Sequence, residues 1–439
     1  MKHLFAQLKQ FANHPSDLGR VIRNVSWVSG ERALRLIIGL AVTSLLARYL
    51  GPESFGVLSL GMAIIAVLLP LAELGLQGVI IKAHVETPEQ SDLISGTSLV
   101  LRFIGGLLTI GIAIGTAQVL STDDTRLVSI VAILSLTALF RNSDTFRHIF
   151  ESKVYTKPII VADFFSSILA NSLKIFAVTC GASLLVFALI HTLEVAIAAI
   201  VILAIYRNRI GNLSKLRFSR SKAIMLLGKG WPLVLSSLAV IIYMKIDQIM
   251  LGAMLGETEV GIYAIAARIS EVWYFVPGAI AWSTFPFLIE AKKENPEFYI
   301  RRLIRLFRSL LLLATSLAIV IGLSSDLLIE LLFGAQFERA SKVLLIHAWG
   351  GTFAVLSMVT RYWAINENLQ HLEIVRTLSG ALINILLNLY FIPTHGVMGA
   401  AYATLLSQLW AGFLFDLVPP STRALFAYKV QAACFWCKA

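Results

Sequence analysis

Charged side chains interrupt several long apolar stretches of this sequence, and they are the strongest candidates for binding a ligand. Arg32 and Arg35 lie one helical turn apart near the start of the first stretch, and Arg268 lies deep within a later one. A charge in the middle of a bilayer costs at least about 2.5–3.5 kcal/mol, so each should face a partner or a water-filled cavity. Arginine binds phosphate through paired hydrogen bonds, which makes these three residues candidate phosphate ligands.

Two further basic residues, Arg102 and Lys174, lie equally deep and extend the candidate substrate site. The alternative for Arg32 and Arg35 is that their long side chains reach back to the membrane surface. The alternative for Arg268 is an ion pair with Glu271, three residues further along the same helix.

Acidic residues at similar depth are candidates for coupling transport to a gradient of H⁺ or Na⁺. They are Glu73, Asp163, Asp247 and Glu271. Asp163 begins a polar stripe that continues at helical spacing through Ser167, Asn171 and Lys174, and a later stripe contains Thr377, Gly380, Asn384 and Asn388. Such stripes line water-filled paths, or alternatively join packed helices. Acidic and basic residues are equally numerous at this depth, so the sequence alone does not establish a cationic cavity.

Signatures of an enzyme or a metal site are absent from the sequence. There is no P-loop, so the chain is not expected to hydrolyse ATP. Cys434 and Cys437 have CxxC spacing, but a zinc site needs two more ligands nearby. The sequence therefore predicts a protein that is not an enzyme and has no metal or cofactor.

The composition indicates an integral membrane protein. Of 439 residues, 57% are hydrophobic and only 14% charged, and the mean hydropathy is +0.78; soluble domains carry about 25% charged residues. The net charge of +11 belongs to residues beside apolar stretches, which indicates contact with anionic lipids and no nucleic acid. Twelve segments are each long enough to cross the bilayer as a helix. Their predicted bounds are 28–50, 54–81, 93–119, 126–145, 158–179, 182–205, 224–252, 259–289, 303–324, 341–363, 372–393 and 395–417.

The connections between these segments alternate in charge. Lys and Arg crowd every second connection, whereas the others hold only Arg48, Arg126, Arg339 and Lys342. The positive-inside rule then places both termini in the cytoplasm. An amphipathic segment at residues 1–14 is predicted to lie on the membrane surface before the first span.

A short repeat divides the chain into two halves. The pattern LGxxxxG occurs at residues 50–56 and again at 255–261, each time on an outward turn after the first span of a half. Gly51, Gly56, Gly256 and Gly261 are its glycines, which permit tight bends at positive φ. An interior proline follows in each next span, Pro70 and Pro277, and predicts a kink there. These matches predict two parallel six-helix lobes, 1–215 and 216–417, with a short cytoplasmic tail at 418–439.

Three stretches resemble bacterial polysaccharide transporters of the Wzx type. They are residues 46–59 (LARYLGPESFGVLS), the region from Asp247 to Glu271 with its VGIY and ARISE segments, and residues 332–337 (LFGAQF). That family belongs to the multidrug/oligosaccharidyl-lipid/polysaccharide exporter superfamily. The resemblance implies an all-α, V-shaped fold of two helical lobes, similar to multidrug exporters of the superfamily.

The resemblance also implies a function. Members of the family flip undecaprenyl-pyrophosphate-linked oligosaccharide to the outer leaflet of the bacterial inner membrane, for O-antigen, lipopolysaccharide or exopolysaccharide synthesis. Related flippases bind the pyrophosphate with arginines of spans one and eight, which correspond here to Arg32, Arg35 and Arg268. Expected partners are the lipid-linked oligosaccharide, membrane lipids, a polysaccharide polymerase and a chain-length regulator. The alternatives are a multidrug or cation antiporter with an acidic, aromatic cavity, a polysaccharide polymerase, and a scaffold for the assembly machinery.

Overall fold

The computed structural model describes residues 15–121, 125–153, 155–211 and 213–434, with side chains from residue 34 onward. The predicted surface segment 1–14 and Cys437 lie outside these residues. Seventeen α-helices, connected in places by short 3₁₀ helices, make up most of the described chain. They are α1 (Pro15–Glu73), α2 (Leu76–Glu86), α3 (Ser91–Leu120), α4 (Thr125–Ser135), α5 (Thr137–Phe140), α6 (Asp144–Ser152), α7 (Lys157–Thr179), α8 (Leu184–Arg209), α9 (Arg220–Leu255), α10 (Glu257–Val272), α11 (Phe275–Glu294), α12 (Pro296–Leu323), α13 (Ser325–Phe333), α14 (Arg339–Asn366), α15 (Gln370–His395), α16 (Val397–Gly412) and α17 (Arg423–Ala433).

The predicted all-helical membrane architecture is confirmed. Eleven stretches of the described chain are long and apolar enough to cross a bilayer. The first, Leu34–Glu86, contains a turn at Gly51 and therefore supplies two spans, which gives the twelve that the sequence predicts. A 3₁₀ turn at Leu213–Lys215 joins spans six and seven. The placement of the lobe boundary after residue 215 stays a prediction.

The first glycine of each LGxxxxG repeat adopts a backbone conformation that other residues avoid. Gly51 has φ 74° and ψ 171°, and Gly256 has φ 88° and ψ 177°. At these dihedral angles a Cβ atom is strained, so glycine reverses the chain at both turns without cost. The two halves of the molecule thus use the same turn at matching positions.

The second glycine of each repeat lets the two lobes touch. A Cβ atom added to Gly56 would lie 1.8 Å from the carbonyl oxygen of Glu257, and one added to Gly261 would lie 2.1 Å from that of Pro52. The first turn of each lobe's second span therefore packs backbone to backbone against its counterpart. Around this contact Phe55, Val260 and Phe337 are buried in one apolar cluster that crosses between the lobes.

Both second spans are interrupted near their prolines. In the first lobe the break is at Leu74 and Gly75, which have φ 54° and 61°, four residues after Pro70. In the second lobe it lies between α10 and α11, directly before Pro277. A proline ring displaces the carbonyl four residues earlier, which for Pro277 belongs to Trp273 in the break itself.

The predicted tail is folded against the second lobe. Leu425, Lys429 and Ala432 of α17 are buried, and the Lys429 ammonium lies 5.6 Å from the centre of the Phe307 ring on α12. Cys434, at the end of this helix, is exposed. The segment after residue 417 is therefore a structural part of the lobe up to that helix.

Candidate functional site

A cavity of about 520 Å³ lies between the two lobes. Its walls come from spans one, two, four, five and six of the first lobe and spans seven and eight of the second. The polar and charged residues in its lining are Arg35, Thr43, Ser59, Thr137, Arg141, Ser167, Asn171, Lys174, His191, Glu194, Lys245, Gln248, Arg268 and Glu271. This volume is typical of ligand pockets in proteins.

Two of the predicted phosphate ligands meet in this cavity from opposite lobes. Arg35 lines it from α1, and Arg268 lines it from α10. A Cβ atom at Gly39, one turn after Arg35, would lie 3.8 Å from Nη2 of Arg268, so the glycine leaves room for the guanidinium against α1. The side chain of Arg32 lies outside the described residues.

The ion pair expected between Arg268 and Glu271 does not form. Glu271 instead lies 3.5 Å from the ammonium of Lys245 on the neighbouring span. Within the described part of the chain Arg268 makes no ion pair or hydrogen bond, and its side chain is exposed to the cavity. The reason is geometric, because α9 packs beside α10 and presents Lys245 on the face that carries Glu271.

A second lysine–glutamate pair lies on the first lobe. Lys174 of α7 donates to Glu194 of α8 at 3.2 Å, and His191, one turn before Glu194, shares the lining. Both pairs are partly accessible from the cavity, with side chains 16–25% exposed. Each cavity lysine therefore lies beside a glutamate that offsets its charge.

The charge of the lining is strongly biased towards basic groups. Among described residues it contains five basic side chains, those of Arg35, Arg141, Lys174, Lys245 and Arg268, against the carboxylates of Glu194 and Glu271. Equal numbers of acids and bases within the spans therefore do not give a neutral cavity. The folded chain turns several of the acids elsewhere.

Arg102 is predicted as a substrate ligand, but it does not line this cavity. Its side chain is buried in the first lobe, only 3% exposed, within electrostatic range of Glu73 and Asp144. One of its guanidinium nitrogens has no hydrogen-bond partner among the described residues. Any role in transport would have to act through the neighbouring helices.

The four predicted coupling carboxylates occupy different environments. Asp163 accepts two hydrogen bonds from Arg147, at 2.9 and 2.5 Å. Glu73 lies 3.6 Å from Arg141 and Glu271 is paired with Lys245. Asp247 alone of the four has no cationic partner among the described residues.

Asp247 is surrounded by neutral hydrogen-bond donors inside the second lobe. Its carboxylate is 2% exposed and accepts bonds from the hydroxyls of Tyr263 and Thr404, each at 2.7 Å, and from the amide of Asn388. The side-chain amide of Asn388 also donates a bond of 3.1 Å to the side-chain oxygen of Asn384. Of the polar stripe predicted on the eleventh span, Asn388 reaches this carboxylate directly.

One acceptor in this cluster is left over. Oδ1 of Asn388 is buried and has no hydrogen-bond partner in the described residues. A buried acceptor without a partner costs about 1–3 kcal/mol. Oxygen atoms of Asp247, Asn388 and Thr404 lie in one buried cluster, and oxygen atoms are the ligands that hard cations prefer.

The end of the cavity near the Gly51 and Gly256 turns is closed. Arg48 at the end of the first span donates to the carbonyl oxygens of Glu330 at 3.1 Å and Leu332 at 2.8 Å, at the last turn of α13. Gln336 returns a hydrogen bond of 2.9 Å to the carbonyl of Arg48. With the Gly56 and Gly261 contacts, these bonds join the lobes on the side away from the basic connections.

Several residues of the candidate sites could not be identified from the sequence. Arg141 reads as part of a basic connection, yet it lines the cavity. Tyr263 and Thr404 carry no charge, and neither residue would be singled out by charge within an apolar segment. They belong to spans eight and twelve, and both meet Asp247 of span seven. The one hint in the sequence is that Thr404 and Ser407, three residues apart, place two hydroxyl groups on the same side of span twelve.

Twelve apolar helices in two lobes around a charged cavity define a membrane transporter. The chain has the fold of a multidrug resistance MATE family transporter of the MOP superfamily in an inward-facing conformation, with a TM-score of 0.75, 18% identity, and 90% of this chain and 96% of that one covered. It is also similar to the lipid II flippase MurJ in an inward closed conformation, with a TM-score of 0.67, 15% identity and coverage of 94% and 93%.

Sequence similarity narrows this class. The chain is 26% identical over 408 residues to the probable flippase AglR of Haloferax volcanii, which covers 88% of this chain and 80% of that protein. Residues 21–292 match the family described as polysaccharide biosynthesis protein. The chain belongs to this family, and it is a flippase-like transporter of the MOP superfamily.

Proposed function

We propose that the protein flips undecaprenyl-pyrophosphate-linked oligosaccharide units across the bacterial inner membrane for O-antigen or exopolysaccharide synthesis. The observation that carries the proposal is the meeting of Arg35 and Arg268, from opposite lobes, in a cavity with surplus positive charge. Guanidinium groups bind pyrophosphate oxygens in pairs, and their attraction is stronger where water is scarce. The names of the flippase relatives are consistent with such a cargo.

The pyrophosphate would lie between Arg35 and Arg268, in contact with both lobes. The sugars would contact the polar wall formed by Ser167, Asn171 and Gln248, while the lipid tail stays in the bilayer. Alternating access follows if the lobes part at the outward turns once the cargo is bound. The orientation that fits is the one with the basic connections and both termini in the cytoplasm.

Asp247 is the carboxylate that we assign to coupling with H⁺ or Na⁺. A gradient can drive transport only through a group that binds the ion in one state and releases it in another. Asp163 is held by Arg147 and is a poor candidate, whereas Asp247 has only neutral partners in the described chain. The cargo, once flipped, would be extended by a polysaccharide polymerase under a chain-length regulator.

The test compares transport by three forms of the protein in a strain that lacks the gene. We expect Arg268→Ala to lower flipping by about ten- to a hundredfold, because a lost charge-assisted hydrogen bond to phosphate costs about 1.5–3 kcal/mol. The measurement is lipid-linked oligosaccharide in each leaflet, with surface polysaccharide in parallel. Arg301→Ala, an exposed arginine outside the cavity, is the matched control and should transport normally.

The outcomes separate the proposed function from its rivals. Loss of surface polymer with lipid-linked units held at the cytoplasmic leaflet supports the flippase. Normal polymer together with altered drug resistance in the deletion strain would instead indicate an antiporter. Units accumulating singly on the outer leaflet would indicate a polymerase. The cavity lining disfavours a cation antiporter, because basic groups outnumber carboxylates and Phe55 and Phe187 are its only aromatic residues in the described chain.

A further inference from the structure

A second cavity lies at the basic end of the molecule, outside the transport site. It has a volume of about 310 Å³ and lies between α2 of the first lobe and the first turns of α9 of the second. Three lysines line it: Lys82 from α2, and Lys222 and Lys229 from α9. Lys222 and Lys229 are seven residues apart, so both face the same side of the helix.

The lysines of this groove are not neutralised by the protein. Lys82 lies 3.6 Å from Glu86, but both side chains are more than half exposed, so the pair contributes little. Lys222 and Lys229 make no ion pair within the described residues. Among the described residues that line the groove, three lysines stand against the single carboxylate of Glu86, so the groove presents surplus positive charge.

The floor of the groove is apolar and open. The apolar residues that line it, here called the floor, include Val79, Met225 and Leu233. Gly78 lies on the same face, and a Cβ atom added there would meet nothing within 4 Å. Basic groups over an apolar floor match a molecule that has an anionic head and a hydrocarbon body.

The depth of the groove places it at the lipid headgroups. Helix α9 has 36 residues, a length of about 54 Å, whereas the hydrocarbon layer is about 30 Å thick. The first turns are the end expected to extend beyond the hydrocarbon, because they carry Arg220, Lys222 and Lys229, and charges are costly inside it. Trp231, 61% exposed and two residues after Lys229, is the kind of residue that anchors helices at this interface.

We propose that this groove binds one anionic phospholipid from the leaflet at the basic end. Its phosphate would lie among Lys82, Lys222 and Lys229, with the first acyl carbons over the apolar floor. Since α2 and α9 belong to different lobes, the bound lipid bridges them. The two lobes also touch beside this groove, at Gly75 and Gly230. A Cβ atom added to Gly75 would lie 2.4 Å from the carbonyl oxygen of Gly230. The lipid thus stabilises the lobe arrangement seen in this structure.

The experiment uses the full-length protein, stripped of lipid in detergent, and native mass spectrometry during titration with phosphatidylglycerol. A lysine near an anionic surface contributes about a factor of five in affinity, so Lys222→Gln with Lys229→Gln should weaken the tightest binding about thirtyfold. Lys215→Gln with Lys293→Gln removes the same charge from exposed positions outside the groove and should leave it unchanged. Gly78→Leu fills the floor without changing charge or breaking the helix, and it should also abolish the tight binding.

Each outcome decides the proposal. Weaker binding in both groove variants and not in the control supports it. An equal loss of lipid binding in the control pair would show that only the general surface charge matters. Equal binding of phosphatidylcholine would show that the lysines do not select an anionic headgroup. Competition by inorganic phosphate at full strength would mean an anion site without lipid. Any of these three results overturns the proposal.

Discussion

Replacing Gly56 by alanine should drive the lobes apart at the outward turns. The new Cβ would lie 1.8 Å from the carbonyl oxygen of Glu257 and 3.0 Å from the nitrogen of Gly261. An ordinary contact between carbon and oxygen is about 3.3–3.6 Å, so the two helices must separate by roughly 1.5 Å. The atoms on the other side are backbone in helices and cannot rotate away.

The cost of this clash sets the size of the effect. Overpacking a tight interface costs about 1–3 kcal/mol and occasionally more. At 3 kcal/mol, the ratio of closed to open forms at this end falls by about 150-fold. The hydrogen bonds from Arg48 to the last turn of α13 remain, so the variant should open without unfolding.

The opening can be measured as a distance between spin labels on the two lobes. Cys180 is exposed on an outward connection of the first lobe, and Glu338 is exposed on one of the second lobe. Labels on Cys180 and on Glu338→Cys, with Cys434 and Cys437 replaced by serine, report the separation. Gly56→Ala should add a longer distance in the absence of cargo.

The matched control is Gly115→Ala, because a Cβ atom at Gly115 in α3 meets nothing within 4 Å. Its distance distribution should equal that of the parent protein. If Gly56→Ala also leaves the distribution unchanged while the protein stays folded, the glycine contact does not hold this end closed, and the reasoning fails.

Two further predictions concern buried charges. Asp247→Asn should lower transport at least tenfold and abolish its dependence on an H⁺ or Na⁺ gradient in vesicles. Cargo binding should persist. Retained dependence on the gradient would contradict the coupling role. Burial lowers the pKa of Lys429 to about 8 from 10.5, with the nearby Arg376 acting in the same direction and Asp416 opposing it. Because the folded chain then loses this proton before the unfolded chain does, stability should rise between about pH 8 and 10.5, by up to about 3 kcal/mol. Thermal unfolding in detergent should show that rise in the parent and not in Lys429→Met.

The membrane architecture could be predicted from the sequence because its signals are local. Apolar length fixes each span, and the turns at Gly51 and Gly256 follow from a residue type that tolerates positive φ. The close contact of Gly56 with the Glu257 backbone could not be predicted, since it joins residues that are distant in the chain. The repeat identified the glycines, and only the fold shows that the two copies touch.

The candidate site could be predicted only in part, for the same reason. Arg35 and Arg268 are singled out by charge within apolar segments, and both line the cavity. Arg102 satisfies the same criterion and yet faces the interior of the first lobe. Depth along a helix can be read from the sequence, but the direction that a side chain faces depends on how the helix is rotated against its neighbours.

Helix packing also decides the sign of the cavity's charge. Asp163 is held by Arg147 and Asp247 by neutral donors, so both acids are satisfied away from the lining. The carboxylates that remain there, Glu194 and Glu271, each lie beside a lysine. The lysines are thereby largely neutralised, whereas Arg268 has no carboxylate partner in the described chain and keeps its positive charge exposed to the cavity. An entering pyrophosphate would meet the arginines first. The lysines would contribute less to its binding, because each already lies beside a glutamate.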